Sequence, residues 1–310
     1  MSYLNSELGA RMIKDYKNIV REYYKTPEIL YHYTNVNGLI GIIESKKIWA
    51  TDSRFLNDFS EISYGVELVK DILDDAIKKE ESGIILKFLK ECKSFDTNIK
   101  GLFEIYITCF CEDGNLLSQW RGYGDRGDGY SIGIEIEKIK RFEYQIGVVI
   151  YSKEEQKFIM NSIIQYYSNI LKEMLRQIGE EHAEGLITTF VQYCSFFLLK
   201  TICMFKHPSF EEEKEWRLVE LKVNYRNELL EGMDVYYLDK IKFRSGNEYL
   251  IPYLEIDLAT EKSNNTIPIK KVIYGPSKQS ELKKIALEQF MKKNNYLDIK
   301  IIDSDIPFRG

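Results

Sequence analysis

Short β-prone runs alternate along this chain with longer stretches of helical period. From about Asn5 to Lys25 the residues read as a polar, charged helix, and Thr26-Pro27 ends it, because proline turns the preceding residue away from the helical region. Ile29-Leu30-Tyr31-His32-Tyr33 predicts a strand. Thr34-Asn35 then predicts the cap of a helix whose apolar face carries Leu39, Ile42 and Ile43. Ile48-Trp49-Ala50 predicts another strand, followed by a polar loop over residues 51–58 and a helix from about Ser60 to Asp75. Ile105 to Cys111 reads as a core strand, Gly122 to Gly129 as a glycine-rich turn, and Tyr130 to Ile136 as a half-buried strand, since its apolar residues alternate.

Residues 154–206 predict two long helices, the second apolar on most of its surface. Gln192 and Lys200 interrupt it, which marks a buried helix and not a membrane span. Strands follow at Glu215–Val223, Tyr249–Leu258, Lys270–Tyr274 and Asp298–Ile302, with a helix from about Ser280 to Asn294. Strands early and late with helices between them predict an α+β fold: a mixed or antiparallel sheet assembled from distant segments, with a long helical insertion. No repeat or low-complexity linker divides the chain. The expected organisation is an N-terminal helix over residues 1–26 and a single domain over residues 27–310.

Composition narrows the function classes. A net charge of -5 with 29% charged residues gives no global basic footprint for nucleic acid, and aromatics at 13% supply both core and stacking surface. The five cysteines show no paired metal-binding spacing and are odd in number, so a disulfide framework and a zinc cage are not expected. Cys109 and Cys111 share one strand face, as buried thiols or as a redox or metal pair. The opening MSYLNSELGARMIKDYKN lacks the apolar run of a signal peptide, and the expected location is the cytoplasm, with no membrane partner.

Four segments carry candidate chemistry. His32 lies where a strand meets a helix N-terminus, a place that suits an anionic ligand such as pyrophosphate, or a structural histidine bonded to a carbonyl. Arg54, with Asn57, Asp58 and Glu61, offers a guanidinium for a ligand phosphate; the alternative is a helix cap with Arg54 paired to Glu61. Trp120, Arg121 and Tyr123 precede flexible glycines that could close over a nucleoside or nicotinamide ring, and a Trp-anchored core turn explains them as well. Glu215 and Arg217 share a strand face, where a carboxylate can stabilise an oxocarbenium ion, while Glu211 and Glu212 read as a solvated run. His182 reads as a surface residue and His207 as the C-terminal cap of the buried helix. Neither a Rossmann fingerprint nor a Walker loop is present.

Taken together, the segments Tyr31–Asn35, Arg54–Glu61, Leu117–Tyr123, Lys206–Phe210 with Glu213–Arg217, and Ser304–Arg309 resemble the bacterial family called domain of unknown function 2971, whose name assigns no activity. The opening HYTN, its Ile/Leu-rich helix and the short strand also resemble ADP-ribosyltransferase folds, particularly the DNA-modifying toxins. That second resemblance implies NAD as substrate, with His32 on the adenosine-side ribose, Tyr33 and Thr34 lining the pocket, and Glu215 as the catalytic carboxylate. It further implies Arg54 at the pyrophosphate or the acceptor and Tyr123 or Trp120 stacked on nicotinamide; Asn57, Arg121 and Arg217 are the further candidates for binding the nucleotide. A toxin or phage-defence role, and a protein or nucleic-acid acceptor, follow only from this resemblance. The long helices at 154–206 have no place on the toxin pattern.

Each reading has a geometric requirement. The transferase needs His32, Arg54, Arg121 and Glu215 on one cleft. A metal-free ribonuclease needs His32 and His207 as neighbours, with Lys206 or Arg217 on the phosphate. A non-catalytic nucleotide sensor needs the pocket alone.

Overall fold

The computed structural model describes residues 11, 14–16, 18–19, 25–56, 60–124, 128–142, 146–223, 238–246, 248–259, 266–277 and 279–307. The positions of the N-terminal segment that fall within them before residue 25 are helical. In chain order the strands are β1 (Ile29–Thr34), β2 (Lys47–Asp52), β3 (Phe103–Cys111), β4 (Tyr130–Glu135), β5 (Ile146–Val148), β6 (Glu215–Val223), β7 (Ile241–Ser245), β8 (Leu250–Asp257), β9 (Ile269–Tyr274) and β10 (Lys300–Asp303). The helices are α1 (Val36–Ser45), α2 (Ser60–Lys79), α3 (Gly83–Leu102), α4 (Leu117–Tyr123), α5 (Lys153–Ile178), α6 (Ala183–Ile202) and α7 (Ser280–Lys293).

The fold is α+β, built on a mixed sheet of order β10-β9-β4-β1-β3-β2-β8-β7, with β6 also pairing with β3 and β5. The named strand pairs are antiparallel except β10 with β9. One face of the sheet buries Leu30, Ile48, Ala50, Tyr106, Phe110, Ile132, Trp216 and Leu254 against Leu39, Ile42 and Ile43 of α1 and Leu287 and Met291 of α7. A second apolar body comprises α2, α3, α5 and α6. It meets the opposite face around Ile105 and Ile107 of β3. The expected insertion thus supplies only half of the helical body, α5 and α6; α2 and α3 complete it. α3 was not expected from the sequence, although Ile85, Phe88, Leu89 and Cys92 recur on one buried side.

β4 departs from its expected half-burial. β1 and β9 pair its two edges, and both its faces are covered: Ile132 and Ile134 lie in the core with α1 and α7, while Ser131 and Gly133 are buried on the other side. Gly133 faces the Tyr31 ring, which would stand 3.0 Å from a Cβ placed there. α6 fits the buried helix that its polar interruptions predicted, with Phe190, Cys194, Phe197 and Leu198 all enclosed. Among the described residues the segment Glu180–Ile202 is the one helix long and apolar enough to cross a membrane, and most of it is buried inside the protein.

Candidate nucleotide-binding cleft

The sheet is split along one edge of β3. On its other edge β3 pairs with β6 over its whole length, from Phe103↔Val223 to Cys111↔Glu215. On the split edge β1 meets it only at Tyr31↔Cys111, and β2 only at Thr51↔Ile107 and Asp52↔Tyr106. Thr108, Cys109 and Phe110 therefore face a gap between β1 and β2. Side-chain hydrogen bonds bridge the gap instead: Thr108 Oγ1 donates to the Trp49 carbonyl of β2, and the Cys109 carbonyl accepts from the His32 ring of β1.

A cavity of about 650 Å³ occupies this gap, within the range of small-molecule sites. It is lined from both faces of the sheet. His32 lies between Tyr31 and Tyr33, whose rings pack with Cys111 and Trp120, so its own side chain projects to the other face, towards Phe110 and α1. Glu215, opposite Cys111 in the register, projects with Tyr31 and Tyr33. The cleft joins the two sides through the split.

On the α1 side, the His32 Nδ1 donates to the Cys109 carbonyl at 3.0 Å. A carbonyl can only accept, so this bond places the proton of the neutral ring on Nδ1 and leaves a lone pair on Nε2. Burial pushes the imidazole down from its ordinary value, outweighing the opposite pull of that bond. His32 is accordingly neutral, with an acceptor at Nε2. Beside it Asn35 caps α1, its Oδ1 accepting from Gly38 N–H at 2.9 Å, as the sequence predicts. Asn37, Gly38 and Gly41 of the same helix line the cleft, and a Cβ at Gly41 would meet no atom within 4 Å.

On the opposite side Glu215 starts β6 inside a buried charge network. Its Oε1 accepts from Arg217 Nε at 2.8 Å, and its Oε2 from Arg217 Nη2 at 3.1 Å and Lys206 Nζ at 3.0 Å. Burial alone would raise the carboxyl, but Arg217 and then Lys206 hold it down at about 2. Lys206 also bridges to Glu213 at 2.7 Å, and Arg217 Nη1 donates to the Cys203 carbonyl. Glu213 and Glu215 reach the cleft; Lys206 and Arg217 stand behind them. Cys109 lines the cleft too, its thiol pushed well up by burial and by Glu215, while burial raises the Cys111 thiol to about 12. Among the described residues no group of three potential metal ligands exists.

The structure thus brings His32, Tyr33, Thr34, Tyr123 and Glu215 to one cleft. The Tyr33 hydroxyl is already used, donating to the Asp113 carbonyl and accepting from Leu116 N–H, both at 2.8 Å. Arg217 acts through Glu215 without lining the cavity. Arg54 lies elsewhere: its Nε donates to Asp52 Oδ1 at 3.0 Å and its Nη2 stands 3.5 Å from Glu104. Its partners among the described residues are carboxylates, because Asp52, two residues earlier, is held within reach by the turn after β2; the side chain of Glu61, the alternative partner, lies outside the described residues. Trp120 is a core anchor with no exposed surface, its Nε1 donating to Asn115 Oδ1 at 2.9 Å and its ring edge-on to Tyr33, so it does not offer a stacking face. Arg121 is exposed on α4 and does not line the cleft. Asn57 lies outside the described residues. His207 caps the N-terminus of the turn Pro208–Glu213, accepting from Ser209 N–H at 3.2 Å, and not the C-terminus of α6; it too is absent from the cleft lining.

Sequence reasoning missed Trp49, Gly41, Gln119, Glu213 and Arg244 as lining residues. A Trp inside a short strand was a readable signal for the first; nothing local marked Arg244, whose strand was not expected.

The fold and cleft define an α+β protein with a cavity in a split sheet, lined by aromatic, aliphatic and a few polar side chains. Residues 119–218 are similar to the family described as protein of unknown function (DUF2971). That span runs from Gln119 of α4 to Leu218 of β6 and so contains Tyr123, Glu213 and Glu215 but not His32. No curated protein and no solved structure matches the chain.

Proposed function

We propose that the cleft binds a nucleotide, with NAD as its ligand. The observation that carries this reading is the opening of three groups into one cavity at the split: the neutral His32 with a lone pair on Nε2, the first turn of α1, and the ionised Glu215. A ribose hydroxyl can donate to Nε2, and a phosphate is favoured at the helix N-terminus by free N–H groups and the helix dipole.

The transferase form of the reading requires Arg54 and Arg121 on the same cleft, and neither lines it. Transfer of ADP-ribose is therefore not carried by that set, and binding is the conclusion. The ribonuclease form lacks its acid–base pair, because His207 does not line the cleft. Cleavage of NAD remains as a second reading, supported by Glu215. In that step the bond between nicotinamide N1 and ribose C1′ breaks, nicotinamide leaves with the electron pair, and water or an acceptor adds to the ribose carbon and loses a proton. The Glu215 carboxylate would stabilise the positive charge developing on the sugar. Arg217 and Lys206 fix its orientation and offset part of its charge.

Calorimetric titration with NAD and measurement of nicotinamide release, on the wild type, His32→Ala and Glu215→Gln, test both readings. Binding that weakens in His32→Ala without nicotinamide release supports a nucleotide-binding sensor. Release that depends on Glu215 supports cleavage, and labelled NAD in cell lysate would then reveal any acceptor. A wild type that neither binds nor cleaves NAD overturns the proposal.

A further inference from the structure

The cations around the cleft are nearly all committed. Lys206 and Arg217 balance Glu213 and Glu215, and Arg54 serves Asp52 and Glu104. Lys47 and Lys242 both grip Glu255, one on each carboxylate oxygen, at 2.8 Å. Arg244 is different. It lies two residues beyond Lys242 on the same face of β7, it is exposed, it lines the cleft, and it makes no hydrogen bond or ion pair among the described residues.

Trp49 lines the same cavity with 43% of its surface exposed. Its ring is not loose. It stacks on Tyr253 at 4.3 Å between centroids, and Tyr253 is itself buried in the sheet opposite Thr51 and Lys242. A ring held in this way presents a flat apolar face at little further cost in side-chain freedom. A guanidinium with no partner among the described residues, in a cleft whose carboxylates Glu213 and Glu215 are already balanced, favours an anion, and its planar fork matches a phosphate.

We propose that Arg244 and Trp49 form a subsite for a nucleoside phosphate, with the guanidinium on the phosphate and the indole on the base. The inference rests on the nucleotide-binding reading and deepens it: the phosphate contact once expected of Arg54 is made by Arg244, from a strand near the other end of the chain.

The test is calorimetric titration of the full chain with NAD, AMP and adenosine, for the wild type, Arg244→Ala, Arg244→Lys and Trp49→Ala. Loss of a charge-assisted contact weakens NAD and AMP by about tenfold in Arg244→Ala. Adenosine binding is unchanged by that variant, Arg244→Lys recovers part of the loss, and the salt dependence of NAD binding becomes shallower in Arg244→Ala. Trp49→Ala weakens all three ligands, since each carries the base. Arg244→Ala binding NAD and AMP as tightly as the wild type overturns the subsite and leaves the nucleotide reading standing. An equal loss for adenosine also overturns it, because it marks a change of shape and not a lost phosphate contact. A wild type that binds none of the three overturns both.

Discussion

Arg217 holds Glu215 with two nitrogens across one strand face, Nε to Oε1 at 2.8 Å and Nη2 to Oε2 at 3.1 Å. Both side chains are buried, so neither charge can turn to water if the other is removed. Arg217→Ala is expected to destabilise the protein by about 3–5 kcal/mol, the cost of leaving a buried charge without its partner. Urea unfolding measures it. A loss below about 1 kcal/mol would mean that Lys206 alone satisfies the carboxylate.

The same pair makes stability depend on acid. The Glu215 carboxyl is held at about 2 in the folded protein, below the ordinary 4.5, so the unfolded chain takes up the proton first as pH falls. Its contribution is fully present above 4.5 and is lost as pH drops towards 2. Unfolding midpoints of the wild type and Glu215→Gln are expected to converge over that window; a constant difference would contradict the depressed value.

His32 is expected to act at a higher pH. Its folded value lies below the ordinary 6.5, so below that point the unfolded chain protonates while the folded ring stays neutral, and stability falls as pH falls. In His32→Gln the fall in stability below pH 6.5 is expected to be shallower than in the wild type. Titration of the ring by NMR measures the site directly, and a midpoint above 6.5 would remove the neutral acceptor on which the ribose contact depends.

Two glycines of α1 are expected to respond in opposite ways. Gly41→Ala adds a methyl to open space and replaces a poor helix former, which stabilises by up to about 1 kcal/mol, whereas Gly41→Phe projects a ring into the cleft and blocks the ligand. At Gly38 a Cβ would stand 1.9 Å from Thr34 Oγ1, so Gly38→Ala lowers the melting temperature. Thermal unfolding with ligand titration separates the two effects.

Arg54→Ala is expected to lower stability, since it strips the buried Asp52 and Glu104 of their shared cation, yet to leave NAD affinity as it was. An affinity change as large as that expected of Arg244→Ala would return Arg54 to the binding site.

Much of the fold was legible because it is local. Asn35 caps α1 through a bond three residues away, and Leu39, Ile42 and Ile43 are buried as their spacing required. The missed strands are short: β5 has three residues, and β7 mixes Lys242 and Arg244 with Phe243 at the sheet edge, a pattern that does not mark a core strand. Within the cleft, His32 was singled out by its place between a strand and a helix start. For Trp120 the sequence leaves a stacking ring and a core anchor both open, because it shows an aromatic beside an arginine, but not that Asn115 and Tyr33 enclose it.

By itself, then, the sequence determined many of the stretches that become helix or strand, though not α3, β5 or β7, and where α1 is capped, since those choices rest on periodicity and on bonds spanning a few residues. Only the tertiary structure decided that β1 and β2 diverge along β3 to open a cleft. It alone decided that Arg54 pairs with Asp52 and Glu104 while Arg244 has no partner among the described residues. Strand pairing and charge pairing join residues far apart in the chain, and no local spacing specifies which of several similar partners will meet.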